Sequence, residues 1–326
     1  MKKYNWGILG CGKIAGKFSS DLALLENANL YATASRDQLK SQSFAQEFGF
    51  EKAYGSYEAM LKDEKVDIVY IATPHTFHAK HALLSLTHYK AVLCEKPFAM
   101  NKKEILSMIA KAQENNIFLM EAFWTRFIPS FQKVLEIINS KDLGTVKMIQ
   151  SDFMFHAPFN PESRLYNMNL GGGSLLDIGI YPVFAALITL GKPENIVAKA
   201  MFSSTGSDEH LEIKLEYPER KVAYLKSGFM CNSFNDTIFH FERGAIRISR
   251  ELNETIYIKT NKNIEKLKVD DGRGNGYQFE ASHVMDCLDK NLVESPILTH
   301  TFSLQLIETL DAIRKEIGLI YPNHDE

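Results

Sequence analysis

The fold is decided by the stretch Tyr4-Asn5-Trp6-Gly7-Ile8-Leu9-Gly10-Cys11-Gly12-Lys13-Ile14-Ala15. Its first six residues have the pattern of a buried strand, and the glycines that follow allow a tight turn into a helix. Glycine lets the backbone approach a pyrophosphate, while the helix N-terminus supplies N–H donors and the positive end of its dipole. Ala15 is the third small residue, where the helix meets the strand. The residues expected to contact a dinucleotide here are Gly10, Gly12, Lys13 and Ile14.

Strand and helix patterns alternate from this stretch as far as residue 121. Strands are predicted at Asn5–Leu9, Leu30–Ser35, Val66–Ala72, Ala91–Glu95 and Ile117–Glu121. Helices are predicted at Ile14–Glu26, Gln38–Phe48, Tyr57–Lys62, Phe77–His88 and Lys102–Asn115. Apolar strands separated by such helices indicate a parallel sheet covered on both faces. We therefore expect residues 1–121 to form a doubly wound α/β domain of the Rossmann type that binds the dinucleotide.

The pattern changes after residue 122. After a helix at Phe131–Asn139, period-two alternation predicts strands at Val146–His156, Ile196–Ser203, Leu211–Tyr217, Lys221–Phe229, Thr237–Phe241, Ala245–Ser249 and Thr255–Lys259. Further helices are expected at Leu175–Leu190, Phe279–Lys290 and Phe302–Ile317. Consecutive strands with short connections indicate a mostly antiparallel sheet. Residues 122–326 are therefore expected to form a second, α+β domain.

Composition narrows the class of protein and its partners. The net charge of −3 argues against a nucleic-acid partner, because the counts of acidic and basic residues do not favour a basic face. The four cysteines are scattered, which suits a reducing compartment rather than a disulfide framework. The longest apolar run, Val183 to Leu190, is far below the roughly 20 residues that span a bilayer. We expect a cytoplasmic protein with no membrane partner and no targeting segment.

The end of the second strand bears on the choice of cofactor. NAD enzymes usually carry an acidic residue there for the ribose 2′-hydroxyl, whereas an arginine accommodates the 2′-phosphate of NADP. Ser35 and Arg36 offer a hydroxyl donor and a planar cation to a phosphate. Asp37 is either a ribose acceptor or the N-cap of the next helix. We expect NADP rather than NAD.

A candidate catalytic pair comes from two distant stretches. Lys96 stands at the carboxyl tip of the strand Ala91–Glu95, where ligands bind in open α/β sheets. Asp177 and Tyr181 are four residues apart, on one face of a helix that Pro182 is expected to kink. An ammonium near a phenol favours the phenolate, which can then accept an alcohol proton. The alternatives are an ordinary surface lysine and a tyrosine that only packs.

Two further stretches of the sequence could contribute to the site. Gly171–Gly173 form a flexible run that could let the backbone approach a ligand. Thr73 and His75 follow the strand Val66–Ala72, and His75 is expected to line the nicotinamide cleft. Three histidines at 75, 78 and 81 recur at helical spacing, but a closed zinc site needs four ligands and no cysteine is nearby. No metal is expected.

Taken together, these motifs resemble the glucose-fructose oxidoreductase/inositol dehydrogenase/MocA family. The resemblance rests on the glycine loop, on Glu95-Lys96-Pro97, and on Gly171-Gly172-Gly173 with Asp177-Ile-Gly-x-Tyr181. The runs Glu121-Ala-Phe-Trp124-Thr-Arg126-Phe127 and Leu143-Gly144-Thr145-Val146 are similar to its dimeric dihydrodiol dehydrogenase and NADP-dependent D-xylose dehydrogenase branch. Many relatives carry histidine at the position of Tyr181, so tyrosine here favours that branch.

The resemblance implies a function and a site. Lys96 and Tyr181 would be catalytic, Asp177 would assist, and the bond before Pro97 is expected to be cis. The second domain would cover the nicotinamide with an open-faced sheet and form a homodimer through the exposed face. Arg126 would contact phosphate or substrate, or pair with a carboxylate. The substrate pocket would comprise Trp124, Phe153, Asp177, Tyr181 and Phe279, and the aromatic members could instead be core packing. The cofactor set is completed by Thr73, His75, Glu95, Lys96, Trp124 and Arg126.

The sequence thus predicts an NADP-dependent dehydrogenase for a secondary alcohol or hemiacetal of a sugar or cyclic trans-diol. Tyr181 would exchange the hydroxyl proton, and Lys96 would lower the pKa of the Tyr181 phenol. One alternative is a non-catalytic regulator of the same fold that senses NAD(P), although such a sensor needs no proton relay. Another is a lyase or hydrolase with a tightly held cofactor.

Overall fold

The computed structural model describes residues 2–249, 255–270 and 272–325. Within them, the first sheet has six parallel strands: β1 (Tyr4–Leu9), β2 (Ala28–Ala34), β3 (Lys52–Tyr54), β4 (Ile68–Ile71), β5 (Ala91–Glu95) and β6 (Leu119–Ala122). Their order is β3-β2-β1-β4-β5-β6, so the chain builds outward from β1 on one side and then on the other. The order reverses between β1 and β4, and this is the point where doubly wound sheets bind ligands.

Helices connect these strands, as the alternating pattern predicts. They are α1 (Lys13–Leu22), α2 (Gln38–Phe48), α3 (Tyr57–Leu61), α4 (His78–Thr87) and α5 (Lys102–Asn115). The Asn101 side chain caps α5 by accepting a hydrogen bond from the Glu104 N–H at 2.9 Å, and Gly49 ends α2 in the left-handed region. β4, β5 and β6 are buried throughout, as expected of strands covered on both faces. The predicted doubly wound α/β fold is confirmed.

A second sheet follows α6 (Pro129–Ser140). Within the described residues it has eight strands: β7 (Val146–Met154), β8 (Asn195–Phe202), β9 (Asp208–Glu216), β10 (Val222–Gly228), β11 (Asp236–Phe241), β12 (Gly244–Ser249), β13 (Thr255–Thr260) and β14 (Ile264–Lys268). Their order is β14-β13-β12-β11-β7-β10-β9-β8, and β7 pairs with β10 in parallel while the other neighbours are antiparallel. The mostly antiparallel sheet of an α+β unit is confirmed.

The helix that carries the predicted catalytic residues is irregular, as Pro182 led us to expect. Leu175–Gly179 is a π-helical turn, and α7 (Ile180–Leu190) continues from it. The π-turn places the break at the start of the helix, where Pro182 no longer interrupts a regular run of hydrogen bonds. The last two helices are α8 (Tyr277–Asp289) and α9 (His300–Ile317).

The chain separates into two compact units that differ from the expected domain ranges. The first contains the chain up to Phe127 together with Gly272–Leu304, and the second contains the chain from Ile128 and again from Gln305. α8, which we expected in the second domain, therefore packs with the first unit. The reason is Asp21 on α1, which is buried and accepts hydrogen bonds at 2.8–2.9 Å from Asn275 and from the Tyr277 N–H at the start of α8. The functional division after residue 121 stays a prediction.

One stretch of the described chain is long and apolar enough, by length and composition, to cross a membrane. It is Met168–Leu190, and 78% of its most apolar part is buried inside the protein. A core helix has the same composition, so this stretch is weak evidence for a membrane span.

Candidate functional site

The glycine turn after β1 lies at the carboxyl edge of the first sheet. Gly10 has φ +103°, and a Cβ there would lie 3.0 Å from the carbonyl oxygen of Ala72, just beyond β4. The Gly10 N–H donates to the Ala34 carbonyl at the end of β2, 3.0 Å away. The turn is therefore fixed against both neighbouring strands, and only glycine fits at position 10.

Gly12 is not required by the protein's own packing. Its φ of −100° and ψ of −177° are open to any residue, and beyond the adjoining residues no described heavy atom lies within 4 Å of the place its Cβ would occupy. α1 begins at the next residue, and no side chain from the described residues caps it. Lys13 is exposed and Ile14 half-buried. The first-turn N–H groups and the open space above Gly12 fit a pyrophosphate.

The residues after β2 have separate roles. Asp37 caps α2, since its carboxylate accepts hydrogen bonds from two backbone N–H groups of the first turn, at 2.9 and 3.2 Å. Ser35 is buried, and its Oγ accepts a hydrogen bond from the Asp37 N–H at 3.2 Å. Arg36 is exposed, with its guanidinium carbon 6.0 Å from the centre of the Phe77 ring. Of the two roles left open for Asp37, the structure shows the helix cap.

Three histidines follow β4. His78 is fully buried, with Nδ1 2.7 Å from the carbonyl oxygen of Pro97 and Nε2 2.8 Å from that of Thr73. His81 Nδ1 lies 3.0 Å from the Thr73 hydroxyl. Burial lowers the pKa of both imidazoles, that of His81 to about 4. His75 is half-buried, with its ring centre 5.8 Å from that of His78. His78 thus links the loop after β4 to the loop after β5.

Lys96 follows β5 at the same sheet edge. The Lys96–Pro97 peptide bond is cis, as the resemblance implied. Glu95 is buried; one carboxylate oxygen accepts a hydrogen bond from the Tyr70 hydroxyl, and the other accepts one from the Lys96 N–H at 3.2 Å. Lys96 is half-buried, and its positive charge contributes to lowering the pKa of His78. The strand end therefore holds a cation among buried polar groups.

Glu121, near the end of β6, is hydrogen-bonded to the loop after β5. It is buried, with Oε1 accepting a hydrogen bond from the Phe98 N–H at 3.1 Å and Oε2 accepting one from the Ser303 hydroxyl at 2.7 Å. Burial raises the pKa of Glu121 to about 7, while the hydrogen bonds and the charge of Lys96 oppose the rise. This carboxyl group joins β6, α9 and the loop that carries Lys96.

Some of the aromatic residues predicted to line the pocket belong to the first unit. Trp124 is half-buried, and its ring centre lies 5.5 Å from that of Tyr277 on α8. Phe279 is half-buried on the same helix. Arg126 donates from Nε to the Ile297 carbonyl at 3.1 Å, and burial lowers its pKa. The structure thus places Trp124 and Arg126 beside segments of the chain that follow residue 271.

The remaining predicted residues lie together in the second unit. Asp177 is buried in the π-turn, and its Oδ1 accepts a hydrogen bond from Arg164 Nη1 at 2.9 Å. Tyr181 is half-buried on α7, with its ring centre 5.7 Å from that of Phe153 on β7. The structure therefore brings Phe153 beside Tyr181, while the meeting of these residues with Lys96 stays a prediction.

Two residues of the glycine run lie in close packing within the protein. A Cβ on Gly172 would lie 2.8 Å from the backbone nitrogen of Asn167, and one on Gly173 would lie 2.2 Å from Asp208 Oδ1. Gly173 also has φ +129°. These two glycines are needed for the protein's own close packing.

Sequence reasoning missed several buried or paired charged residues. Arg164 lies in an irregular loop, and no pattern connects it with Asp177. Glu280 on α8 is fully buried, neither oxygen has a hydrogen-bond partner in the described part of the chain, and burial raises its pKa well above the usual range. The available signal was weak, since Glu280 is one acid in a helix of mixed composition. Glu121 belongs to a recognisable motif, but nothing in the sequence indicates that its carboxyl group is buried.

Comparison with known proteins identifies the family. Residues 4–123 match the model of the oxidoreductase family with an NAD-binding Rossmann fold, GFO/IDH/MocA, and residues 131–247 match the GFO/IDH/MocA C-terminal domain. The chain belongs to the GFO/IDH/MocA family. The family predicted from the motifs is confirmed, and so is the prediction of an NAD(P)-dependent dehydrogenase of this oxidoreductase class.

The chain is similar to relatives along nearly its whole length. It is 36% identical over 328 residues to trans-1,2-dihydrobenzene-1,2-diol dehydrogenase of Xenopus laevis, covering 97% of this chain and 99% of that protein. A 3-ketoreductase from Actinomadura kijaniata, solved with NADP and TDP-benzene, superposes with a TM-score of 0.87 at 24% identity, covering 97% of this chain and 98% of that one. Aldose-aldose oxidoreductase from Caulobacter crescentus, with glycerol, has a TM-score of 0.89 at 22% identity, with the same coverages. These two structures share the fold.

Proposed function

We propose that this chain is an NADP-dependent dehydrogenase acting on a secondary alcohol or hemiacetal of a sugar or cyclic trans-diol. The observation that carries the proposal is the position of Lys96, at the carboxyl end of β5 on the edge that also holds the glycine turn. Family membership and the similarity to trans-dihydrodiol dehydrogenases support it. A cytoplasmic location suits the scattered cysteines.

The cofactor would be held at the carboxyl edge of the first sheet. The pyrophosphate would lie against Gly12 and the first turn of α1, where the backbone is open. The 2′-phosphate would be bound by Ser35 and Arg36, since Asp37 is engaged as a helix cap. Thr73, His75, Glu95, Trp124 and Arg126 complete the proposed set. When bound, NADP supplies the hydride acceptor.

The chain's own residues would move the proton. Tyr181, as the phenolate, accepts the proton of the substrate hydroxyl, and the hydride leaves from the same carbon, so that a carbonyl forms. The Lys96 ammonium stabilises the phenolate and contacts the nicotinamide ribose. Asp177, oriented by Arg164, accepts a hydrogen bond from a neighbouring substrate hydroxyl.

Aromatic side chains would bind the carbon skeleton. Phe153 packs beside Tyr181, and Trp124 lies against the helix of Phe279. Flat apolar faces suit the ring of a cyclic diol and the apolar face of a pyranose.

A homodimer through the second sheet is part of the proposal. Val197, Met201 and Tyr224 are 42–53% exposed on β8 and β10. The register pairs both Val197 and Tyr224 with Lys214 on β9, so that they share one face of the sheet. A broad sheet face with exposed apolar side chains is typical of an interface between copies.

The deciding experiment is a turnover assay with a substrate panel. Purified protein with NADP is mixed with aldoses, inositols and cyclic trans-diols, and the absorbance of the reduced nicotinamide is followed. In Tyr181→Phe, kcat is expected to fall about a hundredfold or more, because the proton acceptor is removed. The variant is expected to bind NADPH nearly normally. Tyr224→Phe, on the exposed face of the second sheet, is the matched control.

The outcomes separate the alternatives. Full turnover in Tyr181→Phe would reject the assigned base. Cofactor binding without turnover on the whole panel would indicate a regulatory sensor. Product formed without net change in nicotinamide absorbance would indicate a lyase or hydrolase.

A further inference from the structure

The start of the helix that carries Asp177 and Tyr181 depends on one buried carboxyl group. Asp208, the first residue of β9, is fully buried. Its Oδ2 accepts hydrogen bonds from the Leu175 N–H at 2.7 Å and from the Ser174 hydroxyl at 2.8 Å. The first N–H groups of a helix have no partner within the helix, so Asp208 satisfies one of them from a strand of the sheet.

Three neighbouring groups confine this carboxyl group and the helix start that it contacts. Ser174 Oγ also lies 2.9 Å from the hydroxyl of Ser227 on β10, so the helix start is linked to two neighbouring strands. The backbone of Gly173 passes so close to Asp208 that a Cβ would lie 2.2 Å from Oδ1. On the adjoining side, the Tyr321 hydroxyl donates to the Gly172 carbonyl at 2.9 Å.

Keeping an acid in this position costs free energy. Burial raises the pKa of Asp208 to about 7, while the hydrogen bonds from Ser174 and Leu175 oppose the rise. Tyr321 is the neighbouring titratable group, and its own pKa is raised well above the usual range by burial and by the Asp208 charge. Oδ1 has no hydrogen-bond partner within the described residues. The two hydrogen bonds at Oδ2 therefore offset only part of the cost of burying this group.

We propose that Asp208 is the positioning residue of the catalytic helix. By holding Ser174 and the Leu175 N–H, it fixes where the π-turn begins and so where Asp177 and Tyr181 are presented to the substrate. The inference rests on the proposed function, in which Tyr181 exchanges the proton. Misplacing a reacting group by about 1 Å can cost about a hundredfold in rate.

The test combines single and double variants in the full-length protein. Asp208→Ala is expected to lower kcat about tenfold to a hundredfold, with the KM for NADP unchanged, because the cofactor-binding residues lie elsewhere. Asp208→Asn keeps one oxygen that can accept both hydrogen bonds, and is expected to restore most of the turnover. Asp236→Ala removes another buried acid of the same sheet and is the matched control; it is expected to leave kcat unchanged.

The double variant separates positioning from a general loss of structure. If Asp208 acts through Tyr181, Asp208→Ala added to Tyr181→Phe causes no further fall in kcat. Should Asp208→Ala fail to fold, Ser174→Ala removes one of the same hydrogen bonds and is expected to reduce kcat severalfold, again only when Tyr181 is present.

Two results would overturn the role of Asp208. One is a kcat for Asp208→Ala equal to that of Asp236→Ala, and the other is multiplication of the two effects in the double variant. Full turnover in Tyr181→Phe would instead overturn the proposed function and, with it, this inference.

Discussion

At residue 121 the chain buries a carboxyl group between the Phe98 N–H and the Ser303 hydroxyl. Its folded pKa of about 7 exceeds the ordinary value of 4.5. The protonated form is therefore favoured in the folded state, and its contribution to stability is fully present below pH 4.5. That contribution is lost as the pH rises through 7, because the folded protein must then hold a buried charge.

We expect Glu121→Gln to remove this pH dependence. The free energy of unfolding of the native protein, relative to the variant, should fall by about 3 kcal/mol between pH 4.5 and pH 8. Denaturant unfolding across this range measures the difference. Glu114→Gln on the exposed face of α5 is the control; a constant difference between native protein and Glu121→Gln at all pH values would contradict the buried titration.

Arg36 is expected to set the cofactor preference. Arg36→Ala should weaken NADP binding about tenfold to a hundredfold, since a charge-assisted hydrogen bond contributes about 1.5–3 kcal/mol. NAD binding should change little, because NAD has no 2′-phosphate. Fluorescence titration with both cofactors measures the two affinities.

The control for Arg36→Ala is Lys65→Ala. It removes the same charge from an exposed position before β4, at the opposite edge of the sheet. Equal losses for NADP and NAD in Arg36→Ala would rule out the phosphate role.

At the scale of single elements, the two glycines of the turn between β1 and α1 are expected to have different roles, with Gly10 needed for stability and Gly12 needed for cofactor binding. Gly10→Ala should lower the free energy of unfolding by about 1–2 kcal/mol, because φ is +103° and Ala72 crowds the Cβ. Gly12→Ala should leave stability nearly unchanged and weaken cofactor binding, since the added methyl group enters open space above the turn.

Thermal unfolding and cofactor titration of both variants measure the two effects. Gly49→Ala provides a reference for positive φ alone, because nothing in the described chain lies near its Cβ. Normal NADP affinity in Gly12→Ala would show that the pyrophosphate does not approach this turn.

Most helices and strands could be predicted from the sequence because residues close in the chain determine where they begin and end. α2 and α5 begin at side-chain caps, at Asp37 and Asn101, and their bounds match the prediction. β3 was missed because one exposed and two half-buried residues give no periodic signal. The close packing of Gly173 against Asp208 was not predictable because Asp208 is remote in sequence.

The candidate site was predictable where it depends on the ends of strands. Gly10, Ser35, Thr73 and Lys96 all follow parallel strands, so their common edge follows from the fold. The hydrogen-bond partners of the buried carboxylates were not predictable. Arg164 reaches Asp177 from an irregular loop, and Ser303 reaches Glu121 from a helix far along the chain.

At the scale of the whole molecule, we expect Tyr224→Glu to break the proposed dimer. Tyr224 pairs across strands with Lys214, so a glutamate there gains an opposite charge in the monomer. Between two copies the same carboxylate would be buried at a cost. Leu39→Glu, at a 75% exposed position on α2, is the control.

Light scattering after size exclusion measures the mass of each variant. The native protein and Leu39→Glu should have the mass of two chains, and Tyr224→Glu that of one. A native mass of one chain would refute the dimer, and an unchanged dimer in Tyr224→Glu would place its interface elsewhere.

The return of Gly272–Leu304 to the first unit bears on how the chain matures. Asp21 and Phe18 on α1 lie against Tyr277, which the ribosome adds more than two hundred residues later. A nascent chain that has passed residue 127 therefore still has an uncovered flank on α1. The packing of α8 on α1, which completes the first unit, can therefore form only when synthesis is nearly complete.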